Sequence, residues 1–194
     1  MYMELSNQNL HIATEYFLGN TSLLDKKDAD YRNLFLTYAS DNNSSTLREA
    51  ITMHYLGYTQ YADKHGADGF DSKTGRKKEV KPRFVDGGKI STSGNFNDMT
   101  MDLLEKKKDL DVICSLFSKD RLIYIVEFPL TVIYEKLKQP IVNAKLGKRV
   151  VCPFSYTNYD SDELVIHYLD KESMIEHDCL SKKHRTMLET RYSK

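Results

Sequence analysis

Ala67-Asp68-Gly69-Phe70-Asp71-Ser72-Lys73-Thr74-Gly75-Arg76-Lys77-Lys78-Glu79-Val80-Lys81 is the segment from which the rest of the chain is read. Ala67 to Asp71 reads as a short strand. Ser72 to Gly75 supplies turn chemistry, and Arg76 to Lys81 reads as the returning strand. With the turn centred on Lys73-Thr74, Asp68 falls opposite Glu79, their Cβ atoms about 5 Å apart. Glu79 and Lys81 are two residues apart and share a face. The hairpin therefore gathers two carboxylates and an ammonium in one small volume. A three-residue turn would pair Asp71 with Glu79 instead. The four-residue turn favours Asp68, and Asp71 stays a candidate. Pro82, which has no N–H to give a ladder, is expected to stop this strand or place it at an edge.

Working outward, the N-terminal side reads helical. Leu10, Ala13, Tyr16 and Phe17 fall on one helical face, and Leu34, Phe35, Tyr38 and Ala39 on another. This helical region, residues 1–44, is a candidate dimerisation element. Thr46-Leu47-Arg48-Glu49 is a capping-box signature for a helix running through Ile51 and Tyr55 toward Tyr61 and ended by His65-Gly66. Beyond the hairpin, Gly87-Gly88 opens a polar segment, Lys89 to Asn97, and Asp98 to Lys108 reads helical. Leu110 to Phe117 and Leu122 to Phe128 are near-continuous apolar runs joined by Ser118-Lys119-Asp120-Arg121, the pattern of a hairpin of central strands. Thr131 to Lys145 reads as a helix interrupted near Pro140. Arg149 to Tyr156 and Leu164 to Leu169 read as strands, and the chain from Glu172 as helix. The order predicts an α/β (α+β) fold in one domain, 1–194, with a central mixed β-sheet flanked by helices.

Composition narrows the class. Lys and Arg number 28 and so do Asp and Glu, giving zero net charge. Basic residues nevertheless crowd the hairpin: Lys73, Arg76, Lys77, Lys78, Lys81, Arg83 and Lys89, against Glu79 and Asp86. Such a run is either a solvated face or a phosphate-binding one. No apolar run has the length of a membrane span, and Met1 to Leu5 lacks the pattern of a signal peptide, so a cytoplasmic protein without membrane partners is expected. Cys114, Cys152 and Cys179 are odd in number and widely spaced, which argues against a disulfide framework. His177, Cys179 and His184 match no standard zinc spacing.

Two carboxylates held close repel unless they share a proton or a divalent cation. Asp68 and Glu79, with the Val80 carbonyl as a further oxygen, form a donor set suited to Mg²⁺, with Mn²⁺ as a substitute. Lys81 can orient or deprotonate an attacking water, or hold a phosphoryl oxygen. Glu49 either belongs to the capping box or is an accessory carboxylate. Glu127, set among apolar residues, reads as a paired structural residue. Lys77, Lys78, Arg83 and Lys89 are candidate phosphate contacts. Ser91, Thr92, Ser93, Asn95 and Asn97 can meet base edges or phosphates.

Ala67-Asp68-Gly69-Phe70-Asp71 followed by Glu79-Val80-Lys81 resembles the PD-(D/E)xK nuclease superfamily, in particular its PvuII-type (type II) restriction endonucleases. The likeness covers about residues 45 to 135 and includes the order of elements: hairpin, polar segment, helix, apolar hairpin. It implies a restriction-endonuclease-like core, with Asp68 and Glu79 as metal ligands and Lys81 as the catalytic lysine. It also implies Mg²⁺, double-stranded DNA as substrate, and a homodimer in which each subunit cuts one strand. Ala67 stands where the name-giving motif has Pro. The polar segment lacks the histidines associated with base contacts in the PvuII type, so no target sequence carries over. A structure-specific or repair nuclease (a junction resolvase or nickase) and a non-catalytic DNA-binding protein are the alternatives.

Overall fold

The computed structural model describes residues 6–41, 44–61, 66–85, 88–90, 92–145, 147–159 and 161–192. Four helices come first: α1 (Asn7–Phe17), α2 (Ser22–Asp25), α3 (Ala29–Ser40) and α4 (Ser45–Leu56). Then follow β1 (Thr59–Gln60), β2 (Gly69–Phe70), β3 (Lys77–Phe84), β4 (Gly94–Met99), α5 (Met101–Lys107), β5 (Asp111–Phe117) and β6 (Leu122–Pro129). A 3-10 turn (Leu130–Ile133) leads into α6 (Tyr134–Val142), β7 (Val150–Phe154), β8 (Val165–Leu169), α7 (Lys171–Glu176) and α8 (Lys182–Tyr192).

The strands form a six-stranded mixed sheet in the order β1-β2-β3-β5-β6-β8, and β4 and β7 form a separate antiparallel pair. Among the described residues, β3 and β5 are the one parallel pair in the large sheet. The fold is thus α+β, a central mixed sheet flanked by helices. β5 and β6 are buried along almost their whole length, as their apolarity requires of central strands. No helix among the described residues is long and apolar enough to cross a membrane.

Strand alternation divides the chemistry between the two sheet faces. Val80, Ile113, Phe117 and Ile125 turn to one face and pack against Ile12, Phe17, Phe35 and Ile51 from α1, α3 and α4. The N-terminal helices therefore help build this core, with the Phe17 and Phe117 rings edge-on at 5.2 Å. Val112, Cys114, Leu116 and Val126 turn to the other face, against Phe96, Leu104, Leu137, Phe154 and Leu188.

Several boundaries differ from the sequence reading. Helix α4 starts at Ser44 without a side-chain cap, so the Thr46–Glu49 capping box is not what opens it. It ends at Gly57, whose φ of +69° returns the backbone N–H to the carbonyls of Met53 and His54. The chain is already extended at Thr59, well before Gly66; His65 lies outside the described residues. Pro82 does not stop β3, which runs on to Phe84 beside β5. Lys78 O and Val80 N both serve Asp68, so the even positions of β3 direct their backbone groups to the β2 side. There β2 has ended and no donor is required of Pro82. Lys89–Asn97 is not a loop throughout, since from Gly94 it is strand β4. The helix expected from Asp98 begins at Met101, capped by the Thr100 hydroxyl at 3.3 Å. Asp98 instead takes a φ of 54° within a bulge of the β4–β7 pair.

Lys78 also departs from its expected role. It lies on the face of β3 opposite Lys81 and is 3% exposed. Its Nζ bonds Asp111 at 2.8 Å and Glu127 at 2.5 Å and sits over the Tyr58 ring. Glu127 also accepts from Tyr58 and meets His167, and Arg76 completes the pairing of Asp111. Lys78 is thus a buried structural cation and not a DNA contact. Glu127 has the paired role expected of it. Removing one member of a buried ion network exposes the others to their desolvation cost, so Lys78→Ala should lower the unfolding free energy by about 3 kcal/mol. An unchanged urea midpoint for this variant would contradict the account of the network.

Candidate active site

Asp68 immediately precedes the pairs Gly69↔Lys78 and Phe70↔Lys77, and it lies near enough to Glu79 to feel its charge. Asp68 is fastened to β3 twice. Its backbone N–H donates to Lys78 O at 2.9 Å, and its carboxylate accepts from Val80 N–H at 2.6 Å. The Val80 carbonyl points to that same edge, because the N–H and C=O of one strand residue share a direction. Asp71 is used differently. Its carboxylate accepts from Lys73 N–H at 2.9 Å and from the Thr74 hydroxyl at 2.8 Å, and its N–H pairs with Arg76 O. It builds the turn, while Asp68 faces Glu79.

Glu79 is 7% exposed and both its oxygens are taken. Lys81 Nζ lies 2.6 Å from Oε1, and Lys107 Nζ lies 2.7 Å from Oε2. Both ammonium groups sit over the Phe96 ring, at 4.8 and 5.9 Å from its centre. Strand β4 can approach this closely because residue 94 is glycine. A Cβ there would stand 2.9 Å from Lys81 Cβ and 2.8 Å from the Phe154 ring. Lys107 was not among the sequence candidates. Its one signal was position: it follows the wholly buried Leu104 by three residues and shares that helix face.

Burial pushes the Asp68 pKa up, the nearby charge of Glu79 adds to this, and the bond from Val80 only partly opposes it. Burial acts on Glu79 in the same direction. There the ammonium groups of Lys81 and Lys107 outweigh it and hold the carboxyl below its ordinary value. The two carboxylates are therefore unlike: one is repelled and strained toward protonation, the other is firmly ionised. Among the described residues, no group of three or more His, Cys, Asp or Glu side chains is placed to hold a metal ion. Neither Glu49 nor Asp71 thus completes such a group with Asp68 and Glu79. The oxygen donors here are two carboxylates and one backbone carbonyl, whose hard chemistry fits Mg²⁺.

The other candidates are scattered around this centre. Arg83 follows Lys81 on the same face of β3, half-buried; Lys77 and Lys89 are exposed. On β4, Asn95 and Asn97 are exposed and alternate with Gly94 and Phe96, so they turn to the face of the strand away from Lys81. Thr92 is half-buried. Ser93 is 1% exposed with no hydrogen-bond partner for its hydroxyl, so it is closed to DNA, contrary to expectation. Ser91 lies outside the described residues.

The chain matches no family model, and no curated protein matches its sequence.

The unequal carboxylates predict opposite stability effects. An acid whose folded pKa is raised favours folding in its protonated form, an advantage lost as pH rises through the folded value. Asp68→Asn should therefore raise the thermal midpoint at pH 7, with the gain fading as pH falls through the raised folded value and gone below the ordinary value of 3.8. Glu79 stabilises the fold above its ordinary value of 4.5, and this is lost as pH falls through the lowered one. Glu79→Gln at pH 7 leaves two lysines without their anion and should cost about 2 kcal/mol. Equal shifts for both variants, measured by thermal melts from pH 3 to 7, would contradict this asymmetry.

Proposed function

We propose that the protein is a metal-dependent endonuclease that hydrolyses phosphodiester bonds of double-stranded DNA, in the manner of a sequence-specific type II restriction enzyme. The observation that carries this reading is the convergence of Asp68, Glu79 and Lys81 at one end of the β2–β3 hairpin, where Asp68 accepts from Val80 N–H and feels the charge of Glu79, and Lys81 bonds Glu79. The succession of β2–β3, β4, α5 and β5–β6 also agrees with the restriction-endonuclease-like core that the motif implies.

In this reading Asp68, Glu79 and the Val80 carbonyl hold Mg²⁺, with Mn²⁺ as a substitute. When bound, the ion polarises a phosphoryl oxygen and lowers the pKa of water. Lys81 orients the attacking water or holds a non-bridging oxygen, its ammonium steadied by Glu79 and the Phe96 ring. Asn95 and Asn97, exposed on β4, carry the donor and acceptor pair that an adenine edge requires. Lys77, Arg83 and Lys89 supply charge for the phosphates. A homodimer follows from the single site per chain, since cutting both strands of a palindrome needs a two-fold partner. A junction resolvase or nickase would share the chemistry but prefer branched DNA or cut one strand. A non-catalytic DNA-binding protein is the competing reading, and the capture of both Glu79 oxygens by lysines is what favours it.

The test separates chemistry from binding. Lys81→Ala should lower the single-turnover cleavage rate about a hundredfold or more. It should reduce the salt slope of DNA binding by only about one. Lys77→Ala, at the exposed start of β3, should weaken binding and leave the rate of bound DNA unchanged. If both variants weaken binding alike and neither slows cleavage, Lys81 belongs to a basic face and the catalytic reading fails.

A further inference from the structure

The two lysines on Glu79 are not equivalent. Lys81 belongs to β3 itself, two residues along the same strand face, and its reach is set by the strand. Lys107 arrives from the last turn of α5, a separate element, and its Nζ also lies 3.3 Å from Gly66 O. Its side chain is 15% exposed, so it neither leaves the protein surface entirely nor dissolves in it.

The charges of the cluster balance as it stands: Asp68 and Glu79 against Lys81 and Lys107. A divalent cation added to this set leaves an excess of two positive charges. It also needs an oxygen of Glu79, and each is already bonded to an ammonium at 2.6 or 2.7 Å. Binding therefore requires one ammonium to withdraw or an anion to join. A phosphodiester is such an anion. The lysine free to withdraw without disturbing β3 is Lys107.

We infer that Lys107 is a positioning residue that occupies Glu79 in the DNA-free protein and competes there with the divalent cation, so that the metal binds well only when a phosphate arrives with it. The inference rests on the nuclease reading and adds to it an order of assembly. An enzyme built this way keeps its metal site weak until substrate is present. Lys107, released from Glu79, then stands beside the phosphate as a second cation.

The test is calorimetric titration of the DNA-free protein with Mn²⁺, together with Lys107→Met, Lys107→Arg and Asp68→Asn. Methionine keeps an apolar stem over Phe96 and removes the charge; Lys107→Gln takes its place if Lys107→Met does not fold. Partners just outside a metal's ligands shift affinity by about tenfold or more, so Lys107→Met should bind Mn²⁺ about tenfold more tightly than wild type. Lys107→Arg should remain weak, because it restores the competing cation. Asp68→Asn should lose the site. Unchanged or weaker binding by Lys107→Met, alongside wild-type binding that still depends on Asp68, would overturn the role of Lys107 and leave the nuclease reading intact. No Asp68-dependent binding in any variant would overturn both.

Discussion

Asp68 is joined to β3 by its backbone and by its side chain, and its place beside Glu79 and Lys81 follows from those two bonds. The backbone bond to Lys78 O ties Asp68 to the middle of β3. The side-chain bond from Val80 N–H holds the carboxylate at the strand edge. A slip of one residue would exchange the faces of β3. Lys78 would then meet Phe96, and Glu79 would be driven among the apolar side chains of α1 and α4. The register is thus both a folding constraint and a chemical one.

Once it is set, β3 serves two unlike environments. On the helical face, Lys78 is enclosed by Asp111, Glu127 and Tyr58, a network whose members are of use only to one another. On the opposite face, Glu79 meets two lysines that remain partly in contact with solvent. Burial is similar for Lys78 and Glu79, yet the consequences differ. The first cluster is closed by its own side chains. The second is balanced in charge, with both ammonium groups still partly exposed.

The hairpin was legible in the sequence because its turn residues are chemically specific and strands alternate with a fixed period. Those two facts were enough to set Asp68 against Glu79 and to favour it over Asp71. The burial of Lys78 was not legible, since a lysine in a basic run looks solvated until Asp111 and Glu127 are brought across the sheet. Strand β4 was obscured for a similar reason: Asn95-Phe96-Asn97 offers one buried residue between two polar ones, too short an alternation to stand out. The early end of α4 could have been read from Gly57, which offers the left-handed turn a helix end needs. Lys107 depends on how α5 docks on the sheet, and no local pattern carries that information.

The central claim is that these residues form a metal-dependent phosphodiesterase for duplex DNA, and cleavage of a plasmid in Mg²⁺ tests it most directly. The wild-type protein should give discrete fragments and no cutting in excess EDTA, and Asp68→Ala should not cut under conditions where Asp71→Ala still does. Undiminished cutting in EDTA, or by Asp68→Ala, would contradict it, as would intact plasmid across all Mg²⁺ and Mn²⁺ concentrations.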